Sequence, residues 1–119
     1  MTPLDQALVL GIQAAEDGFD WKDPLLAMDK VREEVEELTE ALENCVPEAI
    51  LDELGDVFFS LVQVARLAGV DSTQALNMAN QKFMRRYAGM QELVENQQFK
   101  DLSLDQQMQL WQRVKEDRV

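Results

Sequence analysis

PLLAMDKVREEVEELTEALENCVPEAILDELGDVFFSLVQVARLAG, residues 24–69, reads as two consecutive amphipathic helices broken at Pro47. Pro24 opens the first, because proline at the first helical position gives up an N–H that has no partner there. From Leu25 to about Asn44, the apolar residues Met28, Val31, Val35, Leu38 and Leu42 step by three and four, a narrow seam. Glu33, Glu34, Glu36, Glu37, Glu40 and Glu43 crowd the other faces. The second helix is expected from about Glu48 to Ala68, with Ile50, Leu54, Val57, Leu61 and Ala68 on one stripe. Phe58, Val62 and Ala65 widen that stripe, so this helix is expected to be the central, most buried one and to offer surface for self-association. Gly69 stands where a helix-terminating glycine belongs.

Outward from this pair the chain stays helical. Thr2, Pro3 and Asp5 form an N-terminal start signal for a helix ending near Asp17-Gly18. The segment Gly18-Phe19-Asp20-Trp21-Lys22-Asp23 is a loop. Asp71-Ser72-Thr73-Gln74 caps a fourth helix expected to reach about Asn96, with Ala75, Met78, Phe83, Tyr87 and Met90 inward. Ser103 starts a short tail helix carrying Leu104, Met108 and Trp111. With five Gly and three Pro in 119 residues there are few breaks, and no strand-like alternation of useful length. The expected fold is all-α: one domain over 1–119, a four-helix core over about 18–95 and a tail helix over about 103–117.

Composition narrows the chemistry. A hydrophobic fraction of 46% suits a folded chain, and a net charge of −12 argues against a nucleic-acid backbone as partner. Cys45 is the only cysteine and histidine is absent, which excludes an internal disulfide and removes the usual zinc ligands. The start of the chain lacks a basic leader pattern, and no apolar run approaches the roughly 20 residues that span a bilayer. The expectation is a cytoplasmic protein.

Two acidic patterns carry the functional reading: Glu33-Glu34-Val35-Glu36-Glu37 and Glu53-Leu54-Gly55-Asp56. Residues three apart in an α-helix stack on one face, so Glu34 pairs with Glu37 and Glu53 with Asp56. If the two helices form an antiparallel hairpin, four carboxylates meet across the groove. Like charges so close resist joint ionisation without a cation. Hard oxygen donors select magnesium, manganese or calcium. The plain alternative is a solvated acidic face, which accounts for Glu36, Glu40 and Glu43. Glu53 and Asp56 resist it, because they flank the core stripe of the most apolar helix. Gly55 between them weakens the helix by about 1 kcal/mol relative to Ala and suggests close approach by another helix or a ligand.

These motifs, with Gly18-Phe19-Asp20-Trp21, Asp29-Lys30-Val31-Arg32-Glu33-Glu34 and Ala79-Asn80-Gln81-Lys82-Phe83-Met84-Arg85-Arg86, occur in an order that resembles the MazG nucleoside triphosphate pyrophosphohydrolases, especially the second domain of full-length MazG. The likeness runs from about Gly18 to Leu93, and the tail from about Leu104 to Lys115 shares it. The resemblance implies an all-α fold in which Glu34, Glu37, Glu53 and Asp56 bind Mg2+, with Mn2+ a workable substitute and Glu33 an accessory acid. It implies cleavage between the α- and β-phosphates of a nucleoside triphosphate, nucleotide-pool cleansing, and a homodimer or homotetramer with its site near the subunit interface. One such domain instead of two places the chain among the short relatives. Metal ions would neutralise phosphate charge and acidify the attacking water, and a carboxylate such as Glu37 could take its proton.

Substrate contacts are expected from Lys82, Arg85 and Arg86 for phosphates, Asn80 for sugar or base, and Trp21 for base stacking. Each has an ordinary alternative: ion pairs near a helix end for the cations, a surface amide for Asn80, an aromatic plug for Trp21. Phe58, Phe59 and Phe83 read as core, and Met78, Met84, Met90 and Met108 as packing or interface. Two rivals stand beside the main reading: a hydrolase of another pyrophosphate-containing compound, and a non-catalytic acidic helical module that binds a basic partner.

Overall fold

The computed structural model describes residues 1–94 and 98–117. The elements are α1 (Pro3–Glu16), α2 (Pro24–Glu43), α3 (Pro47–Ala68), α4 (Ser72–Glu92), a 3-10 turn at Phe99–Asp101 and α5 (Leu104–Asp117), with no strand among the described residues. Local signals explain most of these limits. Thr2 and Asp5 exchange the two hydrogen bonds of a capping box, and Asp23 Oδ1 accepts from the Leu26 N–H at 3.0 Å. Ser103 and Gln106 make the reciprocal cap of α5 at 2.9 and 3.1 Å. Gly69 ends α3 at φ 74°, a left-handed conformation that costs glycine nothing. Cys45 takes φ 56° at the α2–α3 turn, where a side chain is tolerated with some strain. Asn96, the expected end of α4, lies outside the described residues.

The chain forms two compact units, Met1–Ala75 and Leu76–Val119. In the first, α2 runs along α3, and α1 packs on α3 as well. Gln63, 1% exposed, ties this unit together: its Nε2 donates to the Ala7 carbonyl and its Oε1 accepts from Arg66 Nε, both at 2.9 Å. Gly11 makes room for it, since a Cβ there would lie 1.8 Å from Gln63 Oε1.

The buried faces differ from those expected. On α2 the inward residues are Ala27, Val31, Glu34 and Ala41, while Val35 and Leu42 are exposed. The small alanines, passed over in favour of larger apolar residues, set the face on which α2 meets α3. That rotation turns Glu34 inward. On α3 the buried set is Val57, Ser60, Val62 and Gln63. Leu51 is 76% and Phe58 56% exposed, with Leu54, Phe59 and Leu61 also open. A helix apolar on several sides cannot be covered by α1 and α2 alone, so α3 is not fully buried within the chain, and neither Phe58 nor Phe59 is core.

In the second unit α4 and α5 approach closely at Gly89, where a Cβ would stand 3.3 Å from Val114. Phe83 stacks on Tyr87 with centroids 5.9 Å apart and lies 5.7 Å from Trp111, and Phe99 meets Tyr87 edge-on at 5.5 Å. Met90 is buried as expected, but Ala75, Met78, Phe83 and Tyr87 are exposed. Phe83 instead lines an apolar cavity of about 340 Å³ with Tyr87, Met90, Phe99, Met108 and Trp111.

Candidate metal centre

The α2–α3 hairpin brings the two acidic patterns together. One carboxylate oxygen each from Glu34, Glu37 and Glu53 lie within 4.8 Å of one another, and so do one each from Asp52, Glu53 and Asp56. Glu53 belongs to both groups. Glu34 is the most enclosed, 6% exposed, on the inward face of α2. Its Oε1 receives the Lys30 ammonium at 3.0 Å, while its Oε2 and Glu53 Oε2 are buried with no hydrogen-bond partner. A buried anionic oxygen without a donor is costly. The shortage is what a hard divalent cation supplies, and the donor set, all carboxylate with no His or Cys, fits magnesium or manganese. On that ground the residues fit the metal that their pattern suggests.

The electrostatics follow from this crowding. The negative charge of Glu34, with hydrogen-bonding contact to Glu53 and Glu34, pushes the Glu37 carboxyl from 4.5 to about 7. Partial desolvation, then the charges of Glu34 and Asp52, raise Asp56, and Lys30 opposes the rise. The Lys30 ammonium is itself held protonated more firmly, chiefly by its bond to Glu34. Glu33, the accessory acid, touches Lys30 at 3.4 Å from an exposed position.

The other expected residues are distributed between the units. Trp21 is half-buried in the first, its backbone N–H donating to Asp20 Oδ1 at 2.8 Å. Asn80, Lys82 and Arg85 are exposed on the α4 portion of the second. Arg86 is half-buried there with its guanidinium 5.3 Å from the Trp111 ring centroid, a cation–π contact. The close approach expected at Gly55 is not made by the described residues: none of them lies within 4 Å of where its Cβ would be.

Three participants escaped the reading of the sequence. Lys30 stands one turn before Glu34, and that i,i+4 spacing could have identified the pair. Asp52 joins Glu53 and Asp56 although it lies outside the Glu-x-x-Asp pattern. Asp20, inside the Gly18–Trp21 motif, is an anchor: Arg66 binds it with both terminal nitrogens, at 3.0 and 2.6 Å, and lowers its pKa. The separation in sequence hid that bridge.

The geometry defines an all-α protein with a carboxylate site on a helical hairpin. Residues 22–90 match the MazG nucleotide pyrophosphohydrolase domain, and the chain belongs to that family. It is 36% identical over 104 residues to the nucleoside triphosphate pyrophosphohydrolase/pyrophosphatase MazG of Thermotoga maritima, covering 86% of this chain and 40% of that protein. It is 34% identical over 111 residues to the nucleoside triphosphate pyrophosphohydrolase of Escherichia coli K12, covering 90% of this chain and 42% of that one. An uncharacterized Bacillus subtilis protein, YabN, is 38% identical over 66 residues. The chain thus spans about two fifths of the length of the first two relatives. No helix among the described residues is long and apolar enough to cross a membrane.

Proposed function

We propose that this chain hydrolyses nucleoside triphosphates to a nucleoside monophosphate and pyrophosphate, with Mg2+ held by Glu34, Glu37, Glu53 and Asp56. The observation that carries the reading is Glu34: buried, half-unpartnered and within 4.8 Å of Glu37 and Glu53 oxygens. Bound magnesium would neutralise phosphate charge and acidify the attacking water. A carboxylate not fully used as a ligand, Glu37 among them, would take that water's proton. Lys82, Arg85 and Arg86 are the candidates for the β- and γ-phosphates of the leaving pyrophosphate. Trp21 is one candidate for the base; the aromatic cavity of the second unit, beside Arg86, is another.

The relatives' names support the activity, and the family match over residues 22–90, which runs from the first compact unit into the second, is consistent with the single working domain proposed for 1–119. The exposed stripe Leu51, Leu54, Phe58 and Leu61 supports a homodimer or homotetramer. Cytoplasmic clearance of unwanted nucleotides is the role this chemistry suits. An acidic module that merely binds basic partners is disfavoured, since such a surface has no use for a buried carboxylate.

A panel of ribo- and deoxynucleoside triphosphates with Mg2+ tests the proposal, and other pyrophosphate compounds in the panel test the nearest rival. In oxygen-18 water the label should appear in the monophosphate. Label in pyrophosphate means attack at the β-phosphorus, and release of orthophosphate means a different hydrolase.

A further inference from the structure

Lys30 is the one cation, among the described residues, that forms an ion pair within the carboxylate cluster. Its Nζ lies 3.0 Å from Glu34 Oε1 and 3.4 Å from Glu33 Oε1. The other ion pairs, Arg32 with Asp29 and Arg66 with Asp20, leave the cluster aside. Glu34, Glu37, Glu53 and Asp56 therefore share a single ammonium against their mutual repulsion. The lysine side chain is 41% exposed while that of Glu34 is 7% exposed. The acid is thus held by packing, whereas the flexible four-carbon stem of the lysine lets its ammonium leave toward water without disturbing α2.

We propose that Lys30 is the resident counter-cation of the cluster: it neutralises Glu34 before a divalent ion arrives and opposes that ion's binding once it does. The inference rests on the metal reading above. Both effects share one cause. An ammonium beside Glu34 lowers the free energy of the metal-free cluster, which would otherwise hold several like charges with no cation. The same charge, 3.0 Å from an oxygen of Glu34, would repel a divalent ion held by that carboxylate. Lys30 thereby stabilises the fold without metal and weakens metal binding, so the site releases its ion more readily than its carboxylates alone would allow.

The test uses the full chain with Mn2+ as a spectroscopic probe, titrated by electron paramagnetic resonance, and thermal unfolding with and without the ion. Lys30→Met should lower the metal-free Tm and tighten Mn2+ binding by roughly three- to tenfold, the scale of one unit charge acting near a solvated site. The gain in Tm on adding Mn2+ should widen accordingly. Lys30→Arg should behave as the parent chain. Where Lys30→Met does not fold without metal, Lys30→Gln carries the same expectation. If the parent chain binds Mn2+ and the neutral variants bind it equally or more weakly, the inference is overturned and the metal reading stands. If the parent chain binds no Mn2+, both fall.

Discussion

The first unit buries a charged side chain and the second, among the described residues, buries none, while both leave large apolar side chains open. In Met1–Ala75, Glu34 and Gln63 are buried while Leu51 and Phe58 face outward. In Leu76–Val119, aromatic side chains gather around an apolar cavity while Lys82 and Arg85 are exposed. The contrast has a chemical meaning. Burying a carboxylate beside other carboxylates costs free energy and persists where a bound cation offsets it, whereas exposed cations at the edge of an aromatic cluster stay solvated and carry no such cost. The acids and the cations of the proposed reaction therefore reside in different folding units, and substitutions can address them separately.

The largest effect is expected from the acids. Glu53→Gln or Asp56→Asn should reduce turnover by roughly 100-fold or more, beyond the roughly 10–100-fold that loss of a group merely supporting a metal ligand costs. Mg2+ should also raise the Tm of the parent chain more than that of either variant. Near-parental turnover in both would remove the carboxylates from the mechanism.

Gly11→Ala addresses the interior of the first unit, since its Cβ would fall 1.8 Å from Gln63 Oε1. Overpacking of this kind costs about 1–3 kcal/mol, measurable by urea denaturation. An unchanged midpoint would mean that the Ala7–Gln63–Arg66–Asp20 chain of bonds contributes little. In the second unit, Trp111→Ala should cost about 1–2 kcal/mol through lost contacts with Phe83 and Arg86, and it should leave Mn2+ affinity untouched. A loss of metal binding in that variant would break the separation between the units.

The pH dependence of the metal-free chain follows from Glu37. Its carboxyl titrates at about 7 in the fold against 4.5 ordinarily, so between these values the folded chain binds more protons than the unfolded one. This stabilising contribution is full below pH 4.5 and is lost as pH rises through 7. The metal-free Tm should therefore decline from pH 5 to pH 8, and saturating Mg2+ should remove the decline. The smallest effect is expected at Gly55, where Ala meets open space in a helix interior. Gly55→Ala should add about 0.5–1 kcal/mol of stability, and a destabilised variant would show that this backbone is approached by something the single chain does not contain.

How far the sequence could be read is clearest at particular residues. Thr2, Gly69 and Ser103 mark helix ends through bonds that span three or four residues, Pro24 and Pro47 through a fixed φ and a missing N–H, and each end lies within a residue or two of its expected place. The Glu34/Glu37 and Glu53/Asp56 pairs were legible for the same reason, since helical spacing alone puts each pair on one face. Which face turns inward was not legible, because it depends on what packs opposite. Ala27 and Ala41 aim α2 at α3 and carry Glu34 inside, and α3 has more apolar faces than α1 and α2 can cover.

The sequence by itself thus determined the helices, their ends, the acidic pairs and the family, all of which rest on short-range geometry or on motif order. Lys30 beside Glu34 and Asp52 beside Asp56 are one-turn neighbours that helical spacing already offered; tertiary structure alone decided that Glu34 is buried and that Asp20 is held by Arg66 across 46 residues. These depend on long-range juxtaposition. A buried charge, unlike a helix cap, is defined by what surrounds it and not by its neighbours in the chain.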